Sequence, residues 1–106
     1  MQGSNIVAQE FDILILGGGS AGYSAAIRAR QLGFTLGLIE KEKVGGTCLH
    51  TGCIPTKAYL HAAELAEEAR EASKVGVNAV LQSIEMGKVR DYKDNIVSGK
   101  FKGLAG

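Results

Sequence analysis

A run of glycines directly after a short apolar segment constrains this chain more than any other feature. Residues 11–16 read FDILIL and residues 17–22 read GGGSAG. An apolar run of this length, rich in isoleucine and leucine and bounded by glycine, favours a buried parallel β-strand over a helix. Residues 23–32 are rich in alanine and predict a helix, which Gly33 would cap at its C-terminus.

A second apolar run, residues 35–40 (TLGLIE), ends in an acid and completes a βαβ-type unit of about 30 residues. Within this unit Gly17, Gly19 and Gly22 have the spacing GxGxxG, which is typical of dinucleotide-binding loops. The first glycine turns the chain, the second lets backbone N–H groups approach a pyrophosphate, and the third allows helix and strand to pack closely. The N-terminus of the following helix would then face the phosphate charge.

Glu40 lies 18 residues after Gly22, at the end of the second apolar run. A carboxylate at this position can accept hydrogen bonds from the two ribose hydroxyls of an adenosine. Because the glycine loop follows a strand, opens a helix and has an acid at the expected distance, the sequence predicts nucleotide binding. The pattern does not distinguish NAD from FAD. The alternative is a tight turn without a ligand, with Glu40 simply solvated.

The two cysteines, Cys48 and Cys53, are five positions apart. In a regular α-helix the Cα atoms of such a pair lie about 8.6 Å apart, whereas a disulfide needs about 4.4–6.8 Å. Gly52 permits a local distortion that would join them, and Pro55 suits the first turn of a helix that begins near Cys53. Cys53 would then lie at the positive end of that helix, where a thiolate is favoured. Cys48, further out on a loop, is expected to be the more accessible sulfur.

Three other interpretations of the cysteines remain open. In the first, the cysteines are two small buried apolar residues, and in the second they form a purely structural disulfide. In the third, they belong to a Cys₂His₂ zinc site with His50 and His61, although the spacing is not that of a standard zinc finger. His61 is otherwise expected to be a surface or packing residue and His50 a loop residue. In one alternative, the whole chain is a non-catalytic nucleotide-binding or interaction module whose thiols are only structural.

The rest of the chain predicts a polar loop over residues 41–47, then the cysteine segment, then a long helix over residues 56–74 that Gly76 ends. Residues 77–81 are expected to form a short strand or an extended link. Ser83 is a candidate N-cap for a last helix. The apolar residues of that helix are Met86, Val89, Ile96, Val97, Phe101 and Leu104.

Composition excludes several classes of protein. Twelve Lys and Arg against eleven Asp and Glu give a net charge of +1, which argues against a nucleic-acid-binding module. No apolar run approaches the roughly 18 residues of a membrane span. Residues 1–10 are expected to be a loose leader and not a signal peptide, since they have neither a basic start nor an apolar stretch. We therefore expect a cytoplasmic protein whose two cysteines are catalytic or metal-binding thiols.

Residues 45–57 read GGTCLHTGCIPTK, which closely resembles the redox-active segment of the flavoprotein disulfide reductases, the class I pyridine nucleotide-disulfide oxidoreductases. The resemblance runs from about Phe11 to Gly106 and is greatest to the bacterial members that oxidise dihydrolipoamide. It implies an α/β fold: a Rossmann-like FAD-binding βαβ unit with parallel strands, followed by helices, as an incomplete part of a larger FAD/NAD(P)-binding fold. Residues 1–10 would be the leader and residues 11–106 the N-terminal part of the FAD-binding domain, without the NAD and interface domains.

The resemblance also implies roles for individual residues. Cys48 would be the interchange thiol that forms a mixed disulfide with a lipoyl group, and Cys53 the charge-transfer thiol beside the flavin. Glu40 would bind the adenosine ribose, and Lys57 would lie near the flavin ring. The implied cofactor-binding residues are Gly17, Gly19, Ser20, Ala21, Gly22, Glu40, Lys41, Gly45, Gly46, Thr47, Cys48, Gly52, Cys53 and Lys57.

The implied activity is FAD-dependent oxidation of dihydrolipoamide with NAD⁺ as acceptor, in a homodimer that serves the lipoyl groups of 2-oxoacid dehydrogenase complexes. A reductase for glutathione or for mercuric ion is the alternative within the family, because the residues that select the substrate lie mostly outside this stretch. The family's acid–base His–Glu pair is matched by neither His50 nor His61. We therefore expect these 106 residues alone to be inactive.

Overall fold

The computed structural model describes residues 8–106, so residues 1–7 of the expected leader lie outside the described residues. The described residues belong to two compact units, one ending at Val44 and one beginning at Gly45. The elements are β1 (Ile13–Leu16), α1 (Ser20–Gln31), β2 (Leu36–Ile39), α2 (Gly46–His50), α3 (Cys53–Glu71), a 3₁₀-helix (Ala72–Val75) and α4 (Met86–Ala105).

In the first unit, β1 and β2 form a parallel pair connected by α1, which contacts both strands. The register places Ile13 opposite Leu36 and Leu16 opposite Ile39. This is the α/β arrangement with parallel strands that the sequence predicts. The predicted helix and strand bounds differ from the observed ones by at most three residues.

The prediction that β1 is a buried strand was wrong for the described residues. Ile13 and Ile15 are half-buried, whereas Leu14 and Leu16 are exposed. Successive side chains of a strand point to opposite faces of the sheet. Ile15 lies on the face that α1 covers, since a β-carbon placed on Gly22 of α1 would lie 3.4 Å from the Ile15 side chain. Within residues 8–44 no second helix covers the other face.

Asp12 and Thr35 fix the start of both strands. The Asp12 N–H donates to the Thr35 hydroxyl at 2.9 Å. In return, the Thr35 N–H and hydroxyl donate to the Asp12 carboxylate at 2.9 and 3.0 Å. The pKa of the Asp12 carboxyl is lowered, first by the hydrogen bond from the Thr35 backbone and then by that from its hydroxyl. The strands pair in register directly after this reciprocal contact.

In the second unit, α3 packs against α4, and α2 contacts both of these helices. The buried apolar residues here are Leu49, Ala58 and Ala66, with Pro55 also buried. Exposed ion pairs lie along the helices, among them Arg70 with Glu67 at 3.4 Å. Among the described residues, no helix combines the length and the apolar character needed to cross a lipid bilayer.

Helix ends follow the predictions in part. The long helix begins earlier than residue 56, at Cys53, and passes into the 3₁₀-helix before Gly76 ends it with a φ of 86°. Residues 77–81 form no regular element, so the extended link is the alternative observed. Ser83 does not cap α4, since Glu85 holds the N-cap position.

Helix α4 begins two residues later than it would with Ser83 as its N-cap. Leu81 and Ile84, in the segment before the helix, line a groove of about 290 Å³ together with Ala62 and Ala66 of α3. The first backbone hydrogen bond of α4 runs from the Val89 N–H to the Glu85 carbonyl at 3.1 Å, so the helix begins after Glu85. The six apolar residues predicted for the last helix all lie in α4.

Candidate dinucleotide and redox sites

The glycine loop turns the chain from β1 into α1. Gly17 has a φ of 104°, a conformation that residues with a side chain rarely adopt, and its N–H donates to the Ile39 carbonyl at 2.8 Å. A β-carbon on Gly22 would lie 1.9 Å from the Gly17 carbonyl oxygen. Glycine is therefore required at Gly17 by the backbone conformation and at Gly22 by the close approach of the helix to the loop.

Glu40 lies directly after β2 and beside this loop, as its spacing predicts. Its Oε2 accepts a hydrogen bond from the Gly18 N–H at 2.6 Å. Because a carboxylate has two oxygens with several acceptor positions, Oε1 can still accept hydrogen bonds from a ligand. Gly18 is not among the residues predicted from the sequence, although the GGG run was the signal that could have found it. The contact holds the acid over the loop.

The N-terminus of α1 provides donors for an anion. Gly19 is its N-cap and makes no side-chain cap, and the first turn of α1 contains no acidic residue. The first N–H groups of a helix have no partner inside the helix and attract negative charge. Ser20 and Ala21, the first two residues of α1, are exposed. The loop, the start of α1 and Glu40 together suit a nucleotide with a pyrophosphate.

In the second unit, Cys48 and Cys53 form a disulfide with their Cα atoms 4.7 Å apart. A continuous helix would separate these atoms by about 8.6 Å. The chain closes the distance by ending α2 at His50 and beginning α3 at Cys53. The local distortion predicted at Gly52 is present at this break.

Gly52 allows the two helices to meet. A β-carbon there would lie 2.9 Å from the Thr47 carbonyl oxygen and 3.1 Å from the Cys48 Cα. The same Thr47 carbonyl accepts a hydrogen bond from the Thr51 N–H at 2.9 Å, which closes the end of α2. Any side chain at this position would push the start of α3 away from α2.

The two cysteines differ in exposure, but not in the predicted order. Cys53 is exposed and Cys48 is half-buried, so the expectation that Cys48 is the more accessible of the pair was wrong. Cys48 does not lie on a loop. It belongs to α2, which packs against α3 and α4, whereas Cys53 is the first residue of α3. The predicted position of Cys53 at a helix N-terminus is the one observed.

The other predicted cofactor residues are placed as follows. Gly45 is the N-cap of α2 with a φ of 119°, and Gly46 begins the helix with a φ of 68°. Thr47 and Lys41 are exposed. Lys57 is exposed on α3, four residues after Cys53 and hence on the same helix face. The structure brings Gly17, Gly22 and Glu40 together in the first unit; it brings Cys48, Gly52 and Cys53 together in the second.

The zinc alternative has no ligand set in the described part of the chain. Within residues 8–106, no three His, Cys, Asp or Glu side chains form a group that could hold a metal ion. Both sulfurs are used in the disulfide. The His50 ring packs on Phe101 of α4, with the ring centroids 5.2 Å apart. His61 lies 6.2 Å from the Tyr92 ring, so both histidines make packing contacts.

Comparison with known proteins defines the class. The family model for pyridine nucleotide-disulphide oxidoreductases matches residues 11–102, and the chain belongs to this family of oxidoreductases. The predicted membership of the disulfide reductase family is thereby confirmed.

Within the family, the chain is similar to proteins named dihydrolipoyl dehydrogenase. It is 53% identical over 91 residues to that of Bacillus subtilis (strain 168), an alignment that covers 86% of this chain and 19% of the relative. It is 45% identical over 100 residues to the mitochondrial protein of Dictyostelium discoideum, covering 92% and 20% of the two chains. The protein of Staphylococcus aureus is 42% identical over 97 residues, covering 92% and 21%. The chain thus spans about a fifth of the length of these relatives.

Proposed function

We propose that residues 11–106 are the N-terminal part of the FAD-binding domain of a dihydrolipoyl dehydrogenase. The relatives named above support the proposal. The observation that carries it is the Cys48–Cys53 disulfide at the junction of α2 and α3, in a chain that also has a glycine loop with an acid held against it.

The first unit fits the adenosine and pyrophosphate of FAD. Gly22 has no room for a β-carbon, the first turn of α1 has no side-chain cap, and Glu40 is already fixed beside the loop. Gly17, Gly19 and the start of α1 would hold the pyrophosphate, and Glu40 the ribose. When bound, FAD would accept two electrons from the cysteine pair and supply a hydride to NAD⁺.

The disulfide would carry out the thiol exchange. A thiolate of dihydrolipoamide attacks Sγ of Cys48, the S–S bond breaks, and Cys53 leaves as a thiolate. The second thiolate of dihydrolipoamide then attacks the lipoyl sulfur of the mixed disulfide. Oxidised lipoamide leaves, and the Cys48 thiolate is released. The two electrons now reside on the two cysteines, and a general base takes up the protons of the attacking thiols.

The stability of the leaving thiolate, rather than the exposure of each cysteine, determines which sulfur we expect to be attacked. The greater exposure of Cys53 would favour attack there. However, attack on Cys48 releases the Cys53 thiolate at the N-terminus of a 19-residue helix, where the positive end of the helix stabilises it. Exchange is faster when the leaving thiolate is the more stable one. We therefore assign Cys48 as the interchange thiol, and Cys53 would be the charge-transfer thiol toward FAD when the cofactor is bound.

The remaining parts of the proposal come from the resemblance. The protein would act as a cytoplasmic homodimer on the lipoyl groups of 2-oxoacid dehydrogenase complexes, with NAD⁺ as acceptor. The 106-residue chain would not turn over alone, because the expected acid–base pair and nicotinamide site belong to other parts of such a protein.

The test uses the full-length protein. Its visible spectrum is recorded before and after two reducing equivalents. Steady-state rates are measured with dihydrolipoamide and NAD⁺, and with NADPH as the electron donor to glutathione disulfide or to mercuric ion. We expect a flavin spectrum that gains a long-wavelength thiolate–flavin band, and turnover of dihydrolipoamide. A colourless protein would contradict the proposed cofactor, and faster turnover of either other substrate would assign the chain to another member of the family.

Two variants separate the roles of the sulfurs. Cys48→Ser and Cys53→Ser should each lower turnover by about a thousandfold or more, because either change removes the covalent route. Cys48→Ser should retain the long-wavelength band, and Cys53→Ser should lose it. Thr51→Ala, an exposed position between the two cysteines, is the matched control and should retain turnover. The reverse pattern of bands would exchange the roles of Cys48 and Cys53.

A further inference from the structure

Helix α2 is held on two opposite faces. Cys48 and His50 are two residues apart in this helix, which places their side chains about 200° apart around its axis. On one face, Cys48 is bonded to Cys53 of α3. On the other, the His50 ring meets Phe101 of α4 with the ring centroids 5.2 Å apart and the planes at 66°. Such edge-to-face geometry is the favourable one for aromatic pairs.

The contact with Phe101 gains importance when the disulfide is reduced. Helix α2 has only five residues, far fewer than a helix needs to be stable on its own in water. Reduction removes its covalent tie to α3. The contacts that remain include the burial of Leu49, which is 7% exposed, and the packing of His50 on Phe101.

The imidazole of His50 is enclosed from a second side. A β-carbon on Gly45, the N-cap of α2, would lie 3.1 Å from His50 Nε2. The ring therefore folds back over the start of its own helix and is packed between that start and α4. Fixing this ring fixes the orientation of a helix as short as α2, and with it the direction of the Cys48 side chain.

We propose that Phe101 is a positioning residue for Cys48: through the His50 ring it keeps α2 oriented, so that the reduced Cys48 thiol stays within reach of Cys53. The role rests on the proposed thiol exchange. Its physical basis is that a thiol already held in place loses less conformational freedom when the disulfide forms again. Without the ring contact, the dithiol gains freedom that the disulfide form does not have, and the equilibrium shifts toward the dithiol.

Redox titration of the full-length protein tests this role. The protein is equilibrated with reduced and oxidised dithiothreitol, quenched with acid and alkylated, and the two forms are counted by mass. In this exchange the protein dithiol gives two electrons and two protons to the cyclic disulfide of dithiothreitol, which yields the protein disulfide and dithiothreitol.

Phe101→Leu keeps an apolar side chain without a ring, and Phe101→Tyr keeps the ring. We expect Phe101→Leu to shift the equilibrium toward the dithiol by about threefold to tenfold, the contribution of one aromatic pair; tenfold corresponds to roughly 30 mV for a two-electron couple. Phe101→Tyr should restore the equilibrium of the unmodified protein. Val89→Ala is the matched control, because Val89 is a half-buried residue of the same helix that lines the groove against α3; it should lower stability without shifting the equilibrium.

A double-mutant cycle with His50→Asn assigns the effect to the ring pair. If the two rings act together, His50→Asn and Phe101→Leu combined should shift the equilibrium little more than either alone. An unchanged equilibrium in Phe101→Leu, or an equal shift in Val89→Ala, would overturn the proposal. These outcomes do not depend on the substrate: failure of dihydrolipoamide turnover in the unmodified protein would contradict the proposed function alone.

Discussion

Gly22 accepts no side chain, since a β-carbon there would lie 1.9 Å from the Gly17 carbonyl oxygen and 3.4 Å from Ile15. At Gly22, the glycine loop, α1 and β1 come into close contact. The sequence predicts this close approach, because the third glycine of GxGxxG has that packing role. It could not predict the Gly18–Glu40 hydrogen bond, since the spacing shows that an acid is near the loop but not which N–H it accepts from.

Gly22→Ala should lower the free energy of unfolding by about 1–3 kcal/mol, the usual cost of forcing extra atoms into a packed site. Gly99→Ala is the control: Gly99 is an exposed residue inside α4 with no atom within 4 Å of an added β-carbon. That substitution should stabilise the protein by about 1 kcal/mol, since alanine is the better helix former. Urea unfolding followed by circular dichroism measures both. Equal effects of the two substitutions would contradict the close approach at Gly22.

Asp12 is expected to give the protein an acid-sensitive contact. Its pKa is lowered from the ordinary value of 3.8, mainly by the Thr35 backbone N–H and then by the Thr35 hydroxyl. A carboxyl whose folded pKa lies below its unfolded pKa contributes stability above the unfolded value and loses it as the pH falls through the folded one. Thr35→Val keeps the Thr35 backbone N–H and removes the hydroxyl, which donates to the Asp12 carboxylate and accepts from the Asp12 N–H. Loss of the hydroxyl donor should raise the Asp12 pKa partway toward 3.8. Carboxyl-carbon NMR over an acid titration measures the shift, and an unchanged pKa would contradict the hydroxyl contribution.

At the scale of elements, the glycines that lie at helix and strand boundaries made most of the fold predictable. The glycines at 17, 33, 52 and 76 mark the ends or starts of elements in the structure, each where a sharp turn or positive φ is needed. Two features of the helices were not predicted correctly, namely the existence of α2 and the start of α4. Helix α2 is too short to be predicted from propensity, and it exists between α3 and α4. Helix α4 starts after Glu85, whose carbonyl accepts the Val89 N–H at 3.1 Å, and not after Ser83.

The dependence on tertiary contacts also explains why the order of cysteine exposure was predicted wrongly. Spacing places Cys53 at a helix start, which is a local property. The half-burial of Cys48 comes from the contacts of α2 with two helices, which no local pattern encodes. The roles assigned to the predicted site residues stay predictions, because they depend on a cofactor and a substrate and not on the backbone.

At the scale of the whole molecule, large apolar side chains remain exposed on the sheet. Leu16 is 86% exposed and its register partner Ile39 is 55% exposed. Partners in a parallel register project from the same face, and this face lies opposite to the one that packs against α1 through Ile15. Contiguous exposed apolar surface of this kind promotes association, and the edges of a two-stranded sheet offer unpaired backbone groups as well.

The 106-residue chain on its own should therefore self-associate in a concentration-dependent way and bind a hydrophobic dye. The double variant Leu16→Thr with Ile39→Thr should reduce both effects without loss of secondary structure, since threonine keeps a high strand propensity. Ile15→Thr, on the covered face, is the matched control: it should lower the free energy of unfolding and leave the association in place. Sedimentation velocity across a dilution series, with dye fluorescence and circular dichroism, measures all three variants. A monomeric chain without dye binding, or an unchanged association of the double variant, would show that this face of the sheet does not drive association.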